Sequence, residues 1–121
     1  MSVQHYRQLV GWQKAMELVK AVYELTNQFP KHEIYGLTSQ IRRAAVSVPS
    51  NIAEGQGRDS TREFLHHLSI AYGSLMEVET QILIAESLAY MGQAETKTIL
   101  ERTSETGRVI NGLARSLKQK L

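Results

Sequence analysis

The 121 residues contain no cysteine, only two prolines and a single tryptophan. Without cysteine there is no disulfide framework and no thiolate chemistry, whether at a metal or as a nucleophile, and nothing in the chain points to secretion. The opening residues MSVQHYRQLVGWQ lack the apolar core of a signal peptide, and no apolar run approaches the ~18 residues that span a bilayer. A soluble cytosolic protein with no membrane partner is expected. No segment alternates apolar and polar residues with period two, which removes the signature of half-buried strands. Charge is sparse in net terms: +2 overall, too mild to name a polyanionic partner.

What remains is helical periodicity, present four times. Trp12, Ala15, Val19, Val22, Thr26 and Phe29 step by three and four until Pro30 and Gly36 end the pattern. Leu37, Ile41, Ala44, Val48 and Ile52 form a second stripe, closed by Gly55 and Gly57, which suit a left-handed C-cap. The Ser60 to Glu63 run, STRE, has the form of a capping box and opens a third helix. Its stripe is Phe64, Leu68, Ala71, Leu75, Val78, Ile82, Ala85 and Ala89. Ile99, Thr103, Thr106, Ile110, Leu113 and Leu117 mark a fourth helix, within which Gly112 would let a neighbour approach closely. Helices are expected near residues 9–29, 37–56, 60–91 and 93–118. Joined by short turns, they predict an all-α, antiparallel up-down-up-down four-helix bundle, with residues 1–121 as one domain.

Pro49 falls inside the second helix. It removes an amide donor and clashes with the Ala45 carbonyl, so a kink is expected there, costing about 3 kcal/mol unless compensated. Ser47, Ser50 and Asn51 can bond freed backbone groups, while Ala44, Ala45 and Ala53 keep the surface small enough for close packing.

Few residues offer catalytic chemistry. Ser47, Ser50 and Thr38 have no His-Asp arrangement near them in sequence, and no Ser-x-x-Lys or Gly-x-Ser-x-Gly context appears. His66 and His67 are adjacent on a helix and point ~100° apart, so they read as surface or interface histidines rather than metal ligands. Gly55-x-Gly57 joins two helices, whereas a dinucleotide site needs a preceding strand. No enzyme, cofactor or metal site is expected. Arg42, Arg43, Arg58 and Arg62 lie near the junction of the second and third helices with Glu54, Asp59 and Glu63. They suit either an ion-pair network fixing that corner or an anion or RNA-phosphate site. Residues 108–121 carry Arg108, Arg115, Lys118 and Lys120 and no acid. That end reads as a solvated helix terminus complementing the helix dipole, or as a nucleic-acid contact.

The third helix has more apolar surface than one core stripe needs. Met76, Leu83, Ile84, Tyr90 and Met91 build a second stripe, and between Phe64 and Gly92 the only formal charges are Glu77, Glu79 and Glu86. A solvated face normally mixes charges of both signs, so this stripe is expected to be a subunit interface, unless the N-terminal segment or the C-terminal tail folds over it.

The run FPKHEIYGLTSQIRRAAVSVPSNIAEGQGR (Phe29–Arg58), followed by EFLHHLSIAYGSLMEVETQILIA (Glu63–Ala85), closely resembles the four-helix-bundle proteins encoded by intervening sequences of bacterial large-subunit (23S) ribosomal RNA genes. The most specific part is Ser47-x-Pro49-Ser50-Asn51-Ile52-Ala53-Glu54-Gly55. Trp12 to Ala15 fits the family's opening pattern, and the last helix matches loosely. The resemblance implies a helical bundle that assembles into a ring, a pentamer, with no established activity. A more distant resemblance to the accessory proteins of diversity-generating retroelements, which are basic pentamers, implies RNA or DNA as a further partner. This chain is less positively charged than they are.

Overall fold

The structure, a computed structural model, describes residues 5–121. The described residues form four α-helices: α1 Val10–Thr26, α2 Leu37–Gln56, α3 Thr61–Ser87 and α4 Gln93–Lys118. Short 3-10 turns occupy Tyr6–Gln8 and Lys31–Glu33, and no strand occurs among the described residues. Each helix packs on two others, α1 on α2 and α4, and α3 on α2 and α4. Residue numbers rise along one helix as they fall along its neighbour. Lys14 meets Glu105 while Glu17 meets Arg102, and Ser74 meets Ser47 while His67 meets Asn51. The fold is the four-helix bundle that the sequence predicts.

The core follows the apolar stripes. Leu18, Val22, Ile41, Val48, Ile52, Leu68, Leu75, Val78, Ile82 and Ile110 are essentially closed to solvent. In α1 the buried line runs through Ala15, Leu18, Val22 and Leu25, leaving Trp12 and Val19 at its half-buried edge. Three threonines of α4 are also buried; Thr96, Thr103 and Thr106 satisfy their hydroxyls by donating to the carbonyls of Gly92, Leu100 and Arg102 within their own helix.

Helix ends depart from the expectation in four places. α1 stops at Thr26, and Phe29 turns inward to pack on Tyr90, ring centroids 5.6 Å apart. α3 stops at Ser87, because Ala89 takes a left-handed backbone (φ 61°) and the Tyr90 N–H returns to the Ala85 carbonyl. Ala89 thus leaves the core stripe, and Met91 enters the core instead. At the end of α2, Gly57 is not the left-handed residue (φ −75°); that conformation falls on Asp59 (φ 55°). Only half of the expected capping box forms. Ser60 Oγ accepts from the Glu63 N–H, but the Glu63 carboxylate turns to Arg58.

α2 has no side-chain cap of its own at Gly36. The Glu33 carboxylate takes that place, accepting from the Leu37 N–H at 3.0 Å and from the Tyr90 hydroxyl at 2.7 Å. The bond from Leu37 is the main reason its pKa lies below the ordinary carboxylate value. One side chain thereby ties the α1–α2 connection to the turn before α4. Further along, α2 runs through Pro49 to Gln56 without interruption. Asn51 does bond backbone near the proline, but its partner is the Ser47 carbonyl rather than that of Ala45.

Glycine marks where helices come closest. A Cβ on Gly55 would lie 2.6 Å from His67 Cβ and 3.1 Å from a Phe64 ring carbon. Gly112, expected to admit a neighbour, has nothing nearer than the end of the Arg115 side chain at 4.0 Å. Gly107 is the close contact of α4, against Leu75 and Tyr72. Gly55→Ala therefore destabilises the protein by about 1–3 kcal/mol through overpacking. Gly112→Ala stabilises it by up to about 1 kcal/mol, since helix propensity improves with no clash. Urea unfolding of the two variants beside the parent measures both signs.

Candidate functional site

The residues of the Ser47–Gly55 motif turn out to be the tie between α2 and α3. Asn51 Nδ2 donates to the Ser47 carbonyl at 2.9 Å and to Ser47 Oγ at 3.0 Å. Its Oδ1 therefore faces α3, where His67 Nδ1 stands 3.0 Å away and must be the donor. Ser74 Oγ donates to Ser47 Oγ at 2.9 Å. The chain His67, Asn51, Ser47, Ser74 thus crosses between the helices twice. His67 is buried beside it, so the expectation of a surface histidine holds only for His66. The linkage depends on residues distant in sequence, which is why periodicity alone does not reveal it. In catalytic serines a base accepts the hydroxyl proton; here Ser47 accepts from two donors and His67 points its Nδ1–H at an amide. Ile52, Pro49 and Gly55 of the motif are buried, while Ser50 and Glu54 face outward.

The four arginines expected at the α2–α3 corner do not gather there. Arg58 does, bonding Glu54 at 2.8 Å and lying 3.8 Å from Glu63. The bond from Arg58 holds the Glu54 carboxyl below its usual pKa, and Glu54 in turn raises that of Arg58. Arg62 is exposed in the first turn of α3. Arg42 sits toward the other end of α2, where it donates to Thr26 Oγ1 and Asn27 Oδ1 and covers the Tyr23 ring at 4.7 Å. It ties α2 to α1. Arg43 lines an open groove between α2 and α3. Arg108, Arg115, Lys118 and Lys120 are all exposed along the end of α4 and just beyond it.

The second apolar stripe of α3 survives in altered form. Leu83 and Ile84 are 46% and 42% exposed. Met76 is half-buried against the core, Met91 belongs to the core, and the half-buried Tyr90 spends its hydroxyl on Glu33. Sequence spacing places Tyr90 and Met91 outward because it runs the helix four residues past its end, whereas Met76 lies within α3 at the edge of the core stripe. The real outward face is Ile70, Gly73, Glu77, Thr80, Ile84 and Leu88, and Glu77 is its one charge. The exposed side of α4, in contrast, carries Lys97, Glu101, Arg102, Glu105, Arg108 and Arg115. Beside the α3 face, Tyr35 in the α1–α2 connection is 95% exposed. Nothing described in the chain covers this surface. The Tyr6–Gln8 turn packs on α1 and α2, and the last residues lie exposed.

If the Asn51 linkage holds α2 to α3, Asn51→Ala strands the His67 N–H and costs about 1–3 kcal/mol. In a His67→Ala background the same change costs markedly less, because the partner is already gone. A denaturation cycle over the four chains reads the difference.

The family model described as "23S rRNA-intervening sequence protein" matches residues 7–112. Among solved structures, a protein of unknown function from the S23 ribosomal protein family of Bacteroides thetaiotaomicron shares the fold, with a TM-score of 0.80 at 20% identity over 87% of this chain and 98% of that one. No curated protein matches the chain.

Proposed function

Because the chain belongs to the 23S rRNA-intervening sequence protein family, we propose that it works as a non-catalytic, self-assembling scaffold, a ring-like homo-oligomer whose subunits meet through the outward face of α3. The observation that carries the reading is the near absence of charge on that face, where Ile70, Leu83, Ile84 and Leu88 stand in solvent on an isolated chain. Fully burying a large apolar side chain contributes about 1.5–3 kcal/mol, so several half-exposed ones covered together favour association. The ring, and five as its number, rest on the family resemblance. Each copy would then present its charged α4 outward to a partner.

Light scattering on a sizing column is expected to give one discrete oligomer. Ile84→Glu places an unpaired charge in the contact and weakens association by about 100-fold or more, with helical content retained. A native chain that stays monomeric at tens of micromolar would refute the proposal.

A second reading is favoured by a separate observation. Arg108, Arg115, Lys118 and Lys120 are exposed together at one end of α4, in a segment without an acid. Repeated around a ring, a weak basic patch gains avidity, and the protein would serve as an RNA- or DNA-binding accessory factor. Phosphate contacts then make binding steeply salt-dependent and nearly indifferent to sequence. Gel-shift titrations with structured and single-stranded RNA are expected to show both properties, and the absence of any shift at low salt and micromolar protein removes this reading.

A further inference from the structure

The groove between α2 and α3 holds a cation and an anion that do not meet. Arg43 and Glu77 both line it and both are exposed, yet neither forms an ion pair among the described residues, whereas Lys14, Arg58 and Arg102 each find a carboxylate. Beside them lies Gln81, only 9% exposed, with Oε1 sealed from solvent and no hydrogen-bond partner. A buried carbonyl in that state is under-satisfied, and turning the amide outward is favourable once a donor waits there. Gly73 stands on the same stretch of α3. No atom comes within 4 Å of the place its Cβ would occupy, so no contact inside the chain calls for a glycine that weakens the helix.

Resting on the self-association proposed above, we infer that Arg43 of one copy pairs with Glu77 of a neighbouring copy across this groove, with Gln81 turned outward into the same contact and Gly73 leaving room for the approaching backbone. The groove suits a second copy because its two rims carry opposite charges, Arg43 on α2 and Glu77 on α3, so the α3 rim of one copy can meet the α2 rim of the next head to tail, as a ring requires. It offers a cation, an anion and an amide that both donates and accepts. A nucleic acid would satisfy Arg43 but set phosphates against Glu77, on a helix whose other central charges are Glu79 and Glu86.

Charge reversal tests the pairing. Arg43→Glu and Glu77→Arg, each confirmed helical by circular dichroism, are expected to weaken self-association about 10-fold or more in sedimentation runs across a concentration series, because like charges then face each other. The double variant carrying both changes in one chain restores association close to the native level, which a folding defect would not do. A net-charge effect is set aside by the single variants, since Arg43→Glu brings the formal charge of +2 to zero while Glu77→Arg raises it, and the pairing requires both to weaken association. If both single variants associate like the native chain while Ile84→Glu dissociates, the groove contact is overturned and the scaffold reading stands. A double variant as weak as the single ones also overturns the pairing. If Arg43→Glu abolishes an RNA gel shift and leaves association untouched, the groove serves nucleic acid and the inference falls. A native chain that is monomeric throughout removes both proposals.

Discussion

The closeness of α2 to α3 sets the terms for everything else in this molecule. At Gly55 the helices approach until a methyl group would collide with the His67 stem. That proximity lets a short side chain such as Asn51 reach across to a buried imidazole, and lets two serine hydroxyls touch. A longer separation would leave these polar groups buried and unpaired, each an expense of about 1–3 kcal/mol. Small residues and short polar side chains are therefore one device: Ala44, Ala45 and Gly55 bring the backbones together, and Ser47, Asn51, His67 and Ser74 fix their register.

The register of α3 in turn decides which of its sides is left over. With Leu68, Ala71, Leu75, Val78, Ile82 and Ala85 committed to the core, the opposite line of Ile70, Gly73, Thr80, Ile84 and Leu88 faces outward with Glu77 as its only charge. α4 is built the other way. Its inner line is mixed with self-satisfied threonines, and its outer side is thickly charged. One face suits contact with like copies and the other suits water or a polyanion, so the bundle is electrostatically two-sided despite its small net charge.

Much of this was legible in the sequence, in physical terms. Helix count, the bounds of α2 and α4, and most core positions of α2, α3 and α4 follow from apolar spacing, because burial on one face is what periodicity records. In α1 the spacing picks Trp12 and Val19, whereas Leu18 and Leu25 are the buried ones. The end of α3 was not legible. Ala89 has no preference for a left-handed backbone, and nothing local announces that Met91 folds back into the core. Proximity in the chain groups the arginines at 42 and 43 with those at 58 and 62, yet a helix of 20 residues carries its two ends about 30 Å apart. The Asn51–His67 bond was invisible for a similar reason: it joins two helices, and a single sequence records spacing along one. The family motif located the right segment without stating its job, which is to hold α2 against α3.

Self-association would place the outer face of α3 against another copy in solution. The absence of cysteine makes this measurable, since a single Ile84→Cys or Asn111→Cys substitution introduces the only thiol in the chain. With α3 at the contact, a thiol at position 84 is expected to react slowly with a water-soluble maleimide, and more slowly as protein concentration rises, whereas a thiol at position 111 on α4 reacts fast at every concentration. Equal and concentration-independent labelling at the two positions would contradict that contact.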